Sequence, residues 1–292
     1  MEYINSNKLI QSVSGEHAWF GSNYNMNIYR GCNHGCIYCD SRSSCYQIHE
    51  FDKVKAKKDA PLKIEKELST KRKKGVISLG GMNDPYNPFE KEIEYTRQAL
   101  ISINKHSFGA FVITKSNLVT RDIDIFKEIK THSVCNVAIT ITTSDDRLQS
   151  RIERNVTSTS DRFQAIKELR DNDIFAGILM MPILPFINDT KENIRGIVEQ
   201  AKAANANYIY PSFGVTLRDN QREHFFGKIG EKLTKQYMNE YEEKYMCVSP
   251  KAKELKIYFT QLCEDNGILY KMTDIIREST HSISNKQLKL EF

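Results

Sequence analysis

Cys32, Cys36 and Cys39 fall in one short segment, Asn27-Ile28-Tyr29-Arg30-Gly31-Cys32-Asn33-His34-Gly35-Cys36-Ile37-Tyr38-Cys39, at C-x3-C-x2-C spacing. Three thiolates this close can ligate three corners of an iron–sulfur cube and leave the fourth iron open. Soft sulfur ligands suit iron–sulfur clusters or zinc. A structural zinc site needs a fourth ligand, for which His34 and Cys45 are the candidates. Gly31 and Gly35 let the backbone wrap tightly around an inorganic core. The chain has seven cysteines, an odd number. In an intracellular protein a tight group of thiols reads as metal-binding rather than disulfide-forming. Cys135, Cys247 and Cys263 read as isolated buried thiols. Cys45 reads as another, or as a hydrogen donor near the loop.

Such a loop has to be delivered by a strand end. Asn25–Tyr29 is predicted as the first strand, leading into the cysteines. Further strands are predicted at Val76–Leu79, Ala110–Thr114, Val134–Thr143, Ile174–Leu184 and Tyr208–Phe213, from β-branched and apolar runs closed by Gly or Pro. Helices are predicted at Glu90–Asn104, Asp122–Thr131, Ser160–Asn172 and Thr190–Ala204. Regular β–α alternation implies a parallel sheet covered by helices. The fold class is therefore α/β, and the strand count fits an open, partial (β/α)6 TIM-like barrel with its active site at the strand C-termini. Phe225–Tyr245 and Pro250–Asn266 read as charged helices, followed by a short Ile268–Tyr270 strand and a polar tail. The expected organisation is an N-terminal arm over 1–22, the barrel over 23–216 and a mostly helical extension over 217–292.

The 292 residues suffice for one large domain. No apolar run approaches the roughly 18 residues of a membrane span, and Met1–Gln11 lacks the apolar core of a secretory signal. The expectation is a soluble, cytoplasmic protein. With 42 Lys+Arg against 37 Asp+Glu the net charge is +5. That balance permits an anionic partner without demanding one. Lys-rich patches at Lys53–Lys58 and Lys71–Lys74 read as solvated loops.

The C-x3-C-x2-C loop with Tyr38 before its last cysteine resembles the signature of radical S-adenosylmethionine (SAM) enzymes. The longer string from Tyr29 to Cys39 resembles the subgroup related to spore photoproduct lyase. Asn83-Asp84-Pro85-Tyr86-Asn87-Pro88 with Glu90 and Thr96-Arg97 is similar to that subgroup's D-P-Y-Q-P-x-E stretch. Ile113-Thr114-Lys115-Ser116 with Arg121-Asp122 is similar to its T-K-S…R-D stretch. Ile139–Thr143, Met181–Pro185 and Asn188-Asp189 also fit, so that the resemblance covers about residues 25 to 215.

The resemblance implies a [4Fe-4S] cluster on Cys32, Cys36 and Cys39 whose open iron is chelated by the amino and carboxylate groups of SAM. Reductive cleavage then yields a 5′-deoxyadenosyl radical that abstracts hydrogen from a substrate, with electrons from a flavodoxin- or ferredoxin-like donor. It also implies SAM contacts. Gly80-Gly81 would approach the methionyl amino group, with Asn83 and Asp84 in the same loop. Lys115 would pair with the carboxylate. Thr140 and Thr142 would face the ribose. Tyr38 and Pro182 are expected at the adenine or in the apolar core. Arg151, Glu153 and Arg154 are expected at the ribose or substrate, or in surface ion pairs. The hydrogen-donating cysteine of spore photoproduct lyase aligns with Gly81 or Met82, neither of which can donate as a thiol does.

Three functions compete at this stage. The first is a radical enzyme acting on DNA or another nucleic acid. The second is one acting on a peptide or small metabolite. The third is a non-catalytic iron–sulfur or zinc protein.

Overall fold

The structure, a computed structural model, describes residues 1–13 and 19–287, with side chains through residue 280. Its centre is a sheet of seven strands. We label six of them β1 (Tyr24–Met26), β2 (Val76–Leu79), β3 (Gly109–Thr114), β4 (Cys135–Thr140), β5 (Phe175–Met180) and β6 (Tyr208–Pro211). These run parallel in sequence order, and Ile10–Ser12 adds an antiparallel edge beside β1. The sheet is open, as the strand count predicts.

Both faces of the sheet are apolar, as a parallel sheet covered by helices requires. Alternate residues point to opposite sides. Val137 and Ile139 of β4 join the outer core under Tyr95–Lys105, Thr159–Asp171 and Lys191–Ala203. Ala138 joins an inner core with Phe111, Phe175, Leu179 and Tyr208. Phe20 enters that inner core from the N-terminal segment, stacking on Phe111 at 4.6 Å. Ile275, fully buried, enters it from Met272–Gln287. The concave side is thus plugged at one end and left open at the strand C-termini.

Several elements differ from the sequence reading. The first strand divides: Tyr24–Met26 stays in the main sheet, while Tyr29–Arg30 pairs with Lys55–Lys57 in a separate three-stranded sheet. The helix expected over Glu90–Asn104 is two helices, Glu90–Ile93 and Tyr95–Lys105. Glu94 between them is left-handed (φ 52°). The cause is the buried Glu90 carboxylate, which accepts from the N–H groups of Thr96 (3.0 Å) and Arg97 (3.4 Å) at the start of the second helix. β5 stops at Met180 because Pro182 has no N–H for the ladder. The helix expected over Phe225–Tyr245 breaks at Gly230 (φ 81°) into Gln221–Ile229 and Glu231–Tyr241. Ile268–Tyr270 makes only a single bridge, Leu269 to Tyr208. The polar tail is helical to Gln287, because Ile275 anchors it inside the sheet; residues 288–292 lie outside the described residues. Ala60–Thr70, the helix between β1 and β2, has no counterpart in the sequence reading.

The helical pair Gln221–Ile229 and Glu231–Tyr241 packs on the cysteine loop. Phe225, Tyr237 and Tyr241 share an apolar cluster with Cys36, Ile37 and Tyr38. The side chain of Gln221 donates to the Tyr38 carbonyl at 3.0 Å.

Candidate active site

The loops leaving β1, β2, β3 and β4 converge at the C-terminal edge of the sheet, where parallel α/β folds place their ligands. They enclose a cavity of about 110 Å³ lined by Cys32, Cys36 and Cys39. Gly80, Gly81, Asn83 and Asp84 line it from the β2 loop, Lys115 from the end of β3, and Thr140 from the end of β4. Of the ten residues expected at a cofactor besides the three cysteines, six line this cavity, and Tyr38, Thr142, Arg151 and Pro182 do not.

The backbone explains the shape. Gly31 has φ 78°, and a Cβ there would lie 2.6 Å from the Lys53 carbonyl oxygen, so only glycine lets the cysteine loop turn. Gly80 has φ 101°, and a Cβ there would lie 2.0 Å from the Ile113 carbonyl oxygen. A Cβ on Gly81 would meet nothing within 4 Å. The β2 loop is therefore pressed against β3 at one glycine and open to the cavity at the next.

Two buried polar networks hold the loops. In the first, Asp84 accepts from the Thr114 hydroxyl (2.6 Å), the Lys115 N–H (2.7 Å) and the Tyr86 N–H (2.9 Å). Its second oxygen also lies 3.4 Å from His34 Nδ1 in the cysteine loop. Asp84 thus ties three of the converging loops together, and Asn83 adds a bond to the Tyr29 carbonyl at 2.6 Å. Behind it, Glu90 bonds the Tyr29 hydroxyl and Arg121 (2.9 Å), and Asp122 bonds Tyr86 (2.8 Å), Arg97 (2.8 Å) and Arg121 (2.9 Å). The residues of the Asp84–Arg97 and Arg121-Asp122 stretches therefore assemble as one scaffold.

The second network is centred on Glu153 and Arg162, both 0% exposed and 2.5 Å apart. Arg162 also donates to the Thr140 carbonyl at 2.8 Å, and Glu153 accepts from the Tyr38 hydroxyl. The Glu153 segment pairs with the cysteine loop through a bridge to Cys36 and an Ile37 N–H bond to the Ile152 carbonyl (3.0 Å). Glu153 is thus neither at a surface ion pair nor open to a ligand. Burial alone would raise its carboxyl, but Arg162 and Lys115 outweigh it and hold the carboxyl below the usual range. Arg151 and Arg154 are exposed and form no ion pair among the described residues. Pro182 is half-buried beyond β5. Thr142 is buried just past β4, its hydroxyl without a hydrogen-bond partner among the described residues, as is the Asn33 side-chain oxygen in the cysteine loop. Cys45 is exposed, 3.6 Å from Arg218 and away from the cavity.

The electrostatics suit an anionic ligand beside a metal cluster. Burial pushes the Cys32 thiol up to about 11 and raises Cys36 and Cys39 too. Thiolates here need cationic charge beside them, which iron supplies. Burial alone would lower Lys115, but Cys36, Glu153, Cys39 and Asp84 outweigh it and raise it, so it stays charged. Its ammonium lies 5.8 Å from the Tyr38 ring centroid and has no carboxylate within 4 Å among the described residues. A half-buried cation facing a cavity without a counter-ion fits a carboxylate ligand.

The family model described as the radical SAM superfamily matches residues 26–201. The chain belongs to the radical SAM superfamily. Its cofactors are a [4Fe-4S] cluster and SAM, and the three cysteines and Lys115, which line one cavity, are compatible with both. An uncharacterised protein of Methanocaldococcus jannaschii is 33% identical over 174 residues, 59% of this chain and 64% of that one. One of Mycobacterium tuberculosis is 26% identical over 210 residues, 69% of this chain and 61% of that one. This radical SAM chain therefore spans less than two thirds of the length of these relatives. The radical SAM Nα-GlyT isomerase of Pseudomonas phage M6 is 21% identical over 215 residues, 73% of this chain and 44% of that protein. Among solved structures, spore photoproduct lyase complexed with dinucleoside spore photoproduct superposes with a TM-score of 0.65 at 11% identity. That likeness, over 90% of this chain and 79% of the other, is one of fold. No helix among the described residues is long and apolar enough to cross a membrane.

Proposed function

We propose that this chain is a cytoplasmic radical SAM enzyme that abstracts hydrogen from a nucleic acid, with residues 23–216 as the catalytic unit and 217–292 as its cover. The observation that carries the cofactor reading is Lys115, a charged side chain without a counter-ion in the cavity lined by all three cysteines. The bound cluster and SAM would supply a 5′-deoxyadenosyl radical after one-electron reduction by a flavodoxin- or ferredoxin-like donor. In this reading Cys32, Cys36 and Cys39 hold three irons, and Lys115 pairs with the SAM carboxylate. Gly80 and Gly81 present backbone to the methionyl amino group, and Thr140 faces the ribose. Asp84 is a positioning residue, orienting Lys115 and the cysteine loop together through the bonds given above. Nucleic acid as substrate is supported by the fold of spore photoproduct lyase, which was solved with a dinucleoside lesion, and by the net charge of +5. With Gly81 and Met82 where that enzyme has a thiol, hydrogen return takes another route here.

The test is anaerobic reconstitution with iron and sulfide, followed by SAM, dithionite and single-stranded oligonucleotides, with 5′-deoxyadenosine measured by mass spectrometry. Wild type should produce it, and a variant with Cys32, Cys36 and Cys39 all changed to Ala should not. A colourless protein holding only zinc, or a brown, fully loaded protein that makes no 5′-deoxyadenosine, would overturn the proposal.

A further inference from the structure

A second cavity, of about 290 Å³, opens on the concave side of the sheet next to the first. Gly81 and Met82 line both, so the two are contiguous. Its floor is polar and uncharged. Asn25 of β1 and Ser78 of β2 are register partners on adjacent parallel strands, so their side chains stand side by side on the concave face. Asn27 and Ser22 complete the floor. The Ser22 hydroxyl is buried, with the residue 3% exposed, and has no hydrogen-bond partner among the described residues. Among the described residues the side chains of Asn25, Asn27 and Ser78 also make no hydrogen bond. A buried hydroxyl left unmade costs about 1–3 kcal/mol, which a ligand bonding it would recover.

The wall is Trp19. It packs perpendicular to Phe20 (5.1 Å, 81°) and Phe111 (6.1 Å, 80°), and 38% of it stays exposed. Perpendicular contacts of this kind fix an aromatic ring, and the part of this one left exposed borders the cavity. Among the described residues no charged side chain lines the cavity, so none of its described lining residues would pair with a phosphate or a carboxylate. Two amides and two hydroxyls offer donors and acceptors together, the pattern that reads the edge of a heterocycle. The volume sits near the lower bound of ligand pockets, about 300 Å³, and suits one ring system.

We propose that this cavity takes a single unpaired nucleobase, stacked on Trp19 and hydrogen-bonded at its edge by Asn25, Asn27, Ser78 and Ser22. The inference rests on the radical SAM reading above in one respect: the base lies beside Gly81–Met82, where the two cavities meet. Because the site reads the base and not the backbone, a paired base must leave its stack to enter.

Trp19 is the one tryptophan of the chain, so its emission reports occupancy directly. Holoenzyme with cluster and SAM, unreduced, is titrated with thymidine, deoxycytidine, deoxyadenosine and deoxyguanosine. Inorganic phosphate, deoxyribose and a neutral dipeptide serve as competitors. At least one nucleoside should give saturable quenching that the competitors do not reverse. Asn25→Leu and Asn27→Leu keep the fluorophore, and each should weaken that binding about tenfold or more. No saturable response to any nucleoside, displacement by the dipeptide, or undiminished affinity in a folded Asn25→Leu, Asn27→Leu double variant would overturn the proposal. SAM cleavage by dithionite in the same preparation separates the readings. Cleavage without nucleoside binding overturns the base site alone, and nucleoside binding without cleavage supports the base site while striking the cofactor assignment.

Discussion

At the residue scale, the Asp84–Arg97 and Ile113–Asp122 stretches divide into one charged side chain that faces the cavity, Lys115, and many that hold the loops in place. Lys115 is free to pair, while Asp84, a neighbour in the cavity wall, has both oxygens occupied by the protein. Removing the charge at Lys115 should therefore act on affinity and not on loading. Lys115→Gln is expected to retain wild-type iron content and to bind SAM about tenfold or more weakly, the loss of one charge-assisted hydrogen bond. Equilibrium dialysis with SAM, alongside iron analysis, checks this; unchanged affinity would remove Lys115 from the SAM site.

At the element scale, the two adjacent glycines after β2 make opposite predictions. Gly80→Ala forces a Cβ onto the Ile113 carbonyl at a positive φ, and the backbone strain alone costs about 1–3 kcal/mol. Its thermal midpoint should fall. Gly81→Ala meets no atom and should keep the wild-type midpoint, so any effect it has on SAM binding is local to the cavity. A second element-scale prediction concerns pH. Glu65 of Ala60–Thr70 contacts Lys105 (2.6 Å) and His106 (2.9 Å) and joins that helix to Tyr95–Lys105. The Lys105 bond, then His106, lowers its carboxyl from 4.5 to about 2. A carboxyl lowered by folding contributes stability that is present above its unfolded value and lost as pH falls through the folded one. Urea midpoints of wild type should thus drop more steeply than those of Glu65→Gln between pH 4.5 and 2. The difference should stay under about 1 kcal/mol, because the pair is partly solvated.

At the scale of the whole molecule, the C-terminal helices are a cover for the cysteine loop and a plug for the sheet. Phe225, Tyr237 and Tyr241 bury the loop's outer side, and Ile275 fills the concave side next to Phe20. Phe225→Ala should cost about 3–5 kcal/mol, as for other fully buried aromatic rings. It should also speed loss of the cluster's visible absorbance in air, since the loop loses its apolar cover. A variant that is destabilised yet holds its cluster as long as wild type would show that this packing serves only the fold.

The local signals were legible wherever chemistry or backbone restriction left a mark on consecutive residues. The spacing of Cys32, Cys36 and Cys39 announces the loop that lines the cavity, and the β-branched runs from Val76 to Tyr208 announce a parallel sheet. The spacing of these runs alone implies an open barrel with its site at the strand ends. What the chain order could not disclose was decided by contacts between distant segments. Glu90 breaks a helix because its carboxylate caps the next one, and Glu153 is buried because Arg162 and Tyr38 meet it there. Arg151, two residues earlier, points to solvent. The Trp19–Ser78 cavity exists only because parallel pairing sets Asn25 beside Ser78 and an aromatic core holds the N-terminal segment over them. Burial, pairing and counter-charge are properties of the folded neighbourhood, and no window of sequence contains them.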